Sequence, residues 1–170
     1  MTIFVVGVGN IFLGDDAFGV EVARRLMSER LPPQARVADF GIRSLHLAYE
    51  LLDGGYDLTV LIDAVSRGNA PGTVYLIEPR FDEAAPAADA HTMNPDAVLA
   101  ALRALGGVPG RVLLVGCEPA SMEEGMGLSP QVAAAVDEAV ELIHGLLARE
   151  LAKGELDVSG DPSANRAVVS

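Results

Sequence analysis

This chain of 170 residues contains one cysteine, no tryptophan, three tyrosines and five phenylalanines. A single thiol, Cys117, excludes an intrachain disulfide and any cysteine-based zinc cluster. With aromatics at only 5%, the core must be filled by Val, Leu, Ile and Ala. Positive charge is also scarce: 12 Lys and Arg stand against 24 Asp and Glu, a net charge of -12. Such a field repels phosphate backbones and anionic lipid surfaces, so neither nucleic acid nor membrane is an expected partner. It suits a basic peptide, a basic protein surface or a metal cation. The opening MTIFVVGVGN has no basic n-region or cleavage site, and no apolar stretch is long enough to span a bilayer. A cytoplasmic setting is the expectation.

What is present is a pattern of short apolar runs alternating with amphipathic stretches. Residues 3–8 form an almost unbroken apolar run, as a strand covered on both faces should. Val20, Ala23, Met27 and Leu31 then recur at helical spacing up to Pro32 and Pro33. Further strands are expected at 35–40, 58–62 and 111–116. Helices are expected around Leu45 to Leu52, over 95–105 and from 130 to about 149. Residues 73–78 read as an antiparallel edge strand, because too little chain precedes them for a crossover helix. The predicted fold is α/β: a three-layer α/β/α sandwich with a mostly parallel, five-stranded sheet carrying one antiparallel edge strand. One domain over 1–150 is expected, with 151–170, Gly-, Pro- and Ser-containing and aperiodic, as a disordered tail.

The first strand runs into GVGNIFLGDDAFG, which invites comparison with a dinucleotide-binding loop. The fingerprint fails: Gly7 and Gly9 are present, but Phe12 stands at the third position and Gly14 arrives two residues late. Asp15 and Asp16 would also put negative charge where a pyrophosphate should approach. No phosphate-binding P-loop sequence exists either.

Three other residues converge on the sheet's carboxyl edge if the fold is right: Asp16 after the first strand, Asp63 at the end of the third, and His91 in a loop. Neighbouring central strands bring the two carboxylates together. Two carboxylate oxygens and one imidazole nitrogen suit a borderline divalent ion such as Ni²⁺ or Zn²⁺. Each residue also has a plainer reading. Asp15 or Asp16 could cap the following helix, Asp63 could satisfy a strand-end turn, and His91 could be an ordinary loop histidine. Desolvating two carboxylates side by side is costly unless a cation neutralises them, which favours the site. His46 is expected to pack and His144 to face solvent. Cys117 is expected to be a small buried residue rather than a nucleophile. Ser44 and Ser121 lack the Gly-x-Ser-x-Gly elbow of an α/β-hydrolase.

Five ordered blocks give the chain a resemblance. GVGNIFLGDDAFGVEVARRL, DFGIRSLHLAYELL, LIDAV, HTMNP and GCEPASMEEGMGLSPQV together resemble the hydrogenase maturation proteases, over residues 2–147. These are endopeptidases that process the large subunit of NiFe hydrogenases. The resemblance implies that Asp16, Asp63 and His91 are the metal-binding and catalytic residues. Asp16 stands where some relatives have Glu. Arg43, in a block where many members read Gly-Thr, could alter which hydrogenase is accepted, and Asp39 and Gly41 match a segment that could line the substrate groove. The implied cofactor is Ni²⁺ carried by the substrate precursor, with Zn²⁺ or Cd²⁺ able to replace it in a crystal. The implied partner is the large-subunit precursor, whose carboxyl-terminal extension is cut off after His or Arg by an enzyme that is monomeric when free. Two rivals stand beside this. One is a non-catalytic metal- or protein-binding module of the same fold. The other is a peptidyl-tRNA-hydrolase-like enzyme, opposed by the GDDAFGVEV continuation and by the acidity.

Overall fold

The computed structural model describes residues 1–79, 95–107 and 110–159. Ile3–Val8 (β1) is buried along its whole length, and the chain leaves it through a 3-10 turn at Gly14–Ala17 into helix Phe18–Met27 (α1). Ala35–Gly41 (β2), Ser44–Gly54 (α2), Leu58–Ala64 (β3) and Val74–Ile77 (β4) follow. Pro95–Ala104 (α3), Arg111–Cys117 (β5) and Pro130–Ser159 (α4) complete the order.

These strands make one five-stranded sheet in the order β2-β1-β3-β5-β4. The first four are mutually parallel, and β4 runs antiparallel to β5. The three-layer α/β/α architecture read from the sequence is therefore the one observed. β4 pairs with β5 rather than with β3, its predecessor in the chain. The reason is that β1 and β5 already occupy both edges of β3, so β4 takes the outer edge of β5, the nearer of the two free sheet edges.

Alternation along β1 divides the core in two. Ile3 and Val5 face α1 and α4, with Phe18, Leu26, Ile143 and Leu147. Phe4, Val6 and Val8 face the other way, against Leu47 of α2 and Val98 and Leu99 of α3. Phe4 is the aromatic centre of that second layer, stacked on Tyr56 at 4.5 Å between centroids and edge-on to Phe40.

Several ends shift by a residue or more from those read in the sequence, among them the ends of β3 and α4. β3 continues to Ala64, so Asp63 lies inside the strand opposite Gly116 of β5. α4 continues ten residues past Arg149, because Glu150 is buried and takes an ion pair from Arg111 Nη1 at 2.6 Å. Leu151 packs on the core beside it. No helix among the described residues is long and apolar enough to cross a membrane.

Two glycines set how closely α1 approaches the sheet. A Cβ on Gly7 would lie 2.1 Å from the Gly19 carbonyl oxygen, and one on Gly19 would lie 2.0 Å from that of Ile62. Gly7 is therefore a packing glycine of β1 rather than a turn residue. Gly9 is the residue that turns the chain, at φ 137°.

Candidate active site

The loop leaving β1 folds back on itself at Gly9, where any Cβ would collide with the Asp16 carbonyl oxygen at 1.9 Å. That return places the Asp16 carboxylate over the strand end, where its Oδ2 accepts the Asn10 N–H at 2.8 Å. Asp63 enters from β3, the neighbouring strand, and its Oδ1 accepts the Ala64 N–H at 2.8 Å. Both are buried, Asp16 at 8% exposure and Asp63 at 2%. Burial pushes the Asp63 carboxyl well above the ordinary carboxylate range, and the Asp16 charge facing it adds to the shift. Asp16 is raised as well, again by burial, against the Asn10 hydrogen bond that favours its ionised form.

Two desolvated carboxylates that repel each other are stable as a proton-holding pair or as a ligand pair for a cation. Their all-oxygen donor set, with open lone pairs, fits a divalent ion that finds further ligands elsewhere. Among the described residues no third His, Cys, Asp or Glu joins them. His91, the third residue expected from the sequence, lies outside the described residues.

Asp15, the chain neighbour of Asp16, behaves in the opposite way. The sequence offers it as a cap for α1, but the N-cap of that helix, Ala17, takes no side-chain hydrogen bond. Instead the buried Asp15 carboxylate accepts hydrogen bonds from Ala120 N, Ser121 N, Ser129 N and Ser129 Oγ, at 2.7 to 3.1 Å. Burial by itself would raise its pKa. The four donors, led by the Ser129 and Ser121 amides, outweigh burial and leave it below the ordinary value.

A comparable clamp closes the other side of the edge. Glu118 follows β5, is buried, and accepts Arg67 N at 2.8 Å, Gly68 N at 3.0 Å and the Tyr75 hydroxyl at 2.8 Å. These bonds, the Arg67 amide first, hold its pKa down and tie the loop after Asp63 to the end of β5. Sequence reasoning assigned Glu118 no role. The available signal was a carboxylate directly after the buried run VLLVGC, where an unpaired charge could not stay.

Beside Asp16 opens a cavity of about 350 Å³, lined by Gly9, Asn10 and Phe12 on one side and by residues 39–43 on the other. Asp39 lies in its wall, accepting Gly41 N at 2.9 Å and Arg24 Nε at 3.3 Å. Arg43 is braced by the Asp39 and Phe40 carbonyl oxygens, at 2.8 and 3.2 Å, with its guanidinium over the Phe40 ring. Asp39 and Arg43 thus stand together in this cavity, whose opposite wall includes Asn10, the residue that donates its N–H to Asp16.

The remaining candidates fall away from the site. Cys117 is buried and its thiol is pushed up to about 11, first by burial and then by the Asp15 charge, so it is no nucleophile. His46 is exposed on α2 rather than packed. His144 does not simply face solvent: its Nε2 lies 2.6 Å from Glu29 Oε2, joining α4 to the end of α1.

The hydrogenase maturation protease pattern (HycI) matches residues 20–146 of this chain. The chain belongs to the hydrogenase maturation protease family. It is 36% identical to the hydrogenase 2 maturation protease of Escherichia coli K12 over 154 residues, covering 86% of this chain and 91% of that protein. Its fold superposes on the hydrogenase maturating endopeptidase HybD from E. coli with a TM-score of 0.71 at 35% identity, covering 88% and 94% of the two chains. The NiFe hydrogenase maturation protease HycI from Thermococcus kodakarensis gives 0.64 at 27% identity, covering 86% and 92%. As a maturation protease the chain is a peptide-bond hydrolase, and the buried Asp16–Asp63 pair is its candidate catalytic centre.

Proposed function

We propose that this maturation protease removes the carboxyl-terminal extension of a nickel-loaded NiFe hydrogenase large-subunit precursor, cutting after His or Arg, in the cytoplasm. The observation that carries the reading is the pair of buried carboxylates, both raised by burial and facing each other at the sheet's carboxyl edge. Nickel is treated as part of the substrate. Asp16 and Asp63, with His91 as the third ligand, recognise the ion as the precursor docks, the ion competing with protons at both raised carboxyls. A divalent ion at that point polarises a nearby peptide carbonyl or acidifies a bound water. A carboxylate that is not fully engaged by the ion accepts the proton from that water. The cavity between Asn10, Phe12 and Asp39 receives the chain next to the scissile bond.

The test is mass spectrometry of the precursor after incubation with the enzyme, with and without nickel installed. Loss of the terminal peptide from the loaded form only is the expected result. Asp16→Ala, Asp63→Ala and His91→Ala should each abolish cutting while leaving the far-ultraviolet circular dichroism unchanged. Cutting of nickel-free precursor at an equal rate, or full activity in His91→Ala, would overturn the reading of the metal. A module that only binds metal or protein would hold the loaded precursor without shortening it.

A further inference from the structure

The connection from β5 to α4 is held in place far more firmly than a loop needs to be. Asp15 binds it at both ends, through Ala120 and Ser121 on one side and Ser129 on the other. Its middle is laced to the loop after β1: Gly125 N donates to Phe12 O at 2.8 Å, and Gly14 N donates to Gly125 O at 2.9 Å. A buried charge and a short backbone bridge therefore fix the path of residues 120–129.

On that fixed path the side chains point the wrong way for a loop that merely closes the chain. Met126 is 73% exposed, Met122 41%, and Phe12, on the adjoining backbone, 60%. Large apolar groups held out in water at fixed positions mark a surface that another molecule covers. Methionine is suited to this, since its unbranched thioether adapts to an uneven partner. Glu123 and Glu124 are exposed between the two methionines and give the apolar surface a negative rim. A hollow of about 340 Å³ opens between Gly14, Met126 and Leu128 with Glu123 and Glu124 in its wall, so apolar and acidic groups meet in one place. Phe12 also lines the cavity next to Asn10, and its carbonyl accepts the Gly125 N–H, so this apolar residue stands between that cavity and the loop.

We infer that residues 120–129 form a docking arm that binds an apolar segment of the precursor flanked by Lys or Arg, apart from the residues at the scissile bond. The inference rests on the proteolytic reading given above. The negative rim selects the basic flanks, and the overall charge of -12 reinforces that selection at a distance. Asp15 acts as a positioning residue: it keeps the arm at a constant offset from Asp16, its neighbour in the chain.

The test compares wild type with a Met122→Ser/Met126→Ser double variant and with Glu123→Gln/Glu124→Gln, on nickel-loaded large-subunit precursor. All four side chains are exposed, so folding is checked by circular dichroism and the thermal midpoint and should not change. The methionine variant should raise KM about tenfold with kcat within about twofold of wild type. The glutamine variant should raise KM about threefold at low salt and converge on wild type at high salt. An unchanged KM in the methionine variant, with wild type cutting normally, would overturn the docking arm and leave the protease reading intact. If wild type does not cut, the protease reading fails, and affinity for the same precursor measured by biolayer interferometry decides the arm: equal affinity in wild type and the methionine variant, or no binding by either, overturns it.

Discussion

Asp15 and Asp16 are adjacent and chemically identical, and burial raises both, yet hydrogen bonds leave the Asp15 carboxyl below its ordinary pKa while Asp16 stays above it. The difference is the number of donors each meets: four for Asp15 against one for Asp16. For Asp15, stability is gained above the unfolded value of 3.8 and lost as pH falls through the lower native value. Asp15→Ala should strip those donors of their acceptor and cost about 3 kcal/mol, read by urea denaturation at pH 7. For Asp63 the sign reverses. Its native value is raised, so its ionised form costs stability as pH rises through that value, and the cost is absent below the unfolded value. Asp63→Asn should therefore raise the thermal midpoint by about 2–4 °C at pH 8, by less at pH 4, and abolish cleavage. Scanning calorimetry at both pH values, with the cleavage assay, checks both halves. A rise in stability with loss of function is the signature of a site that keeps two charges together for a ligand.

At the scale of elements, the geometry depends on how closely α1 rests on the sheet. Gly19 of that helix meets the Ile62 carbonyl one residue before Asp63. Gly19→Ala should drive the helix away from β3, cost about 3 kcal/mol in stability and separate Asp16 from Asp63. A lower denaturation midpoint together with weaker nickel binding by isothermal titration is the expected outcome. The elements themselves were largely legible in the sequence, since strand segments such as 3–8 and 112–116 are buried on both faces and so are apolar throughout. Their ends were less so. β3 extends past Ile62 because pairing with β5 continues through Gly116 and Cys117, a tertiary fact. α4 extends past Arg149 because Arg111, remote in sequence, neutralises the buried Glu150.

For the molecule as a whole, the excess of twelve negative charges acts over a distance that salt shortens. If the precursor presents a basic tail, KM should rise severalfold between about 50 and 300 mM salt with kcat little changed, measured by initial rates. Acid should weaken the metal interaction from a higher pH than ordinary carboxylates would, because both site carboxyls hold their protons more tightly. Nickel affinity followed from pH 8 to pH 5 should fall across that range.

The sequence by itself determined the layer architecture, the absence of an intrachain disulfide, and the placement of Asp16 and Asp63 at the carboxyl ends of two parallel strands. These follow from local periodicity and from the rule that βα units lay their strands parallel; that β1 pairs directly with β3, with β2 on its other side, was decided by the sheet order. Only the tertiary structure decided what Asp15 does, since its donors lie more than a hundred residues away in the chain. The same holds for the clamp at Glu118 and for the exposure of Met122 and Met126. A charge's partners, and the face a loop turns to water, are set by segments that sequence spacing does not connect. The two aspartates at the end of the first strand were legible as chemistry; that one binds a loop and the other faces a second carboxylate was decided by packing.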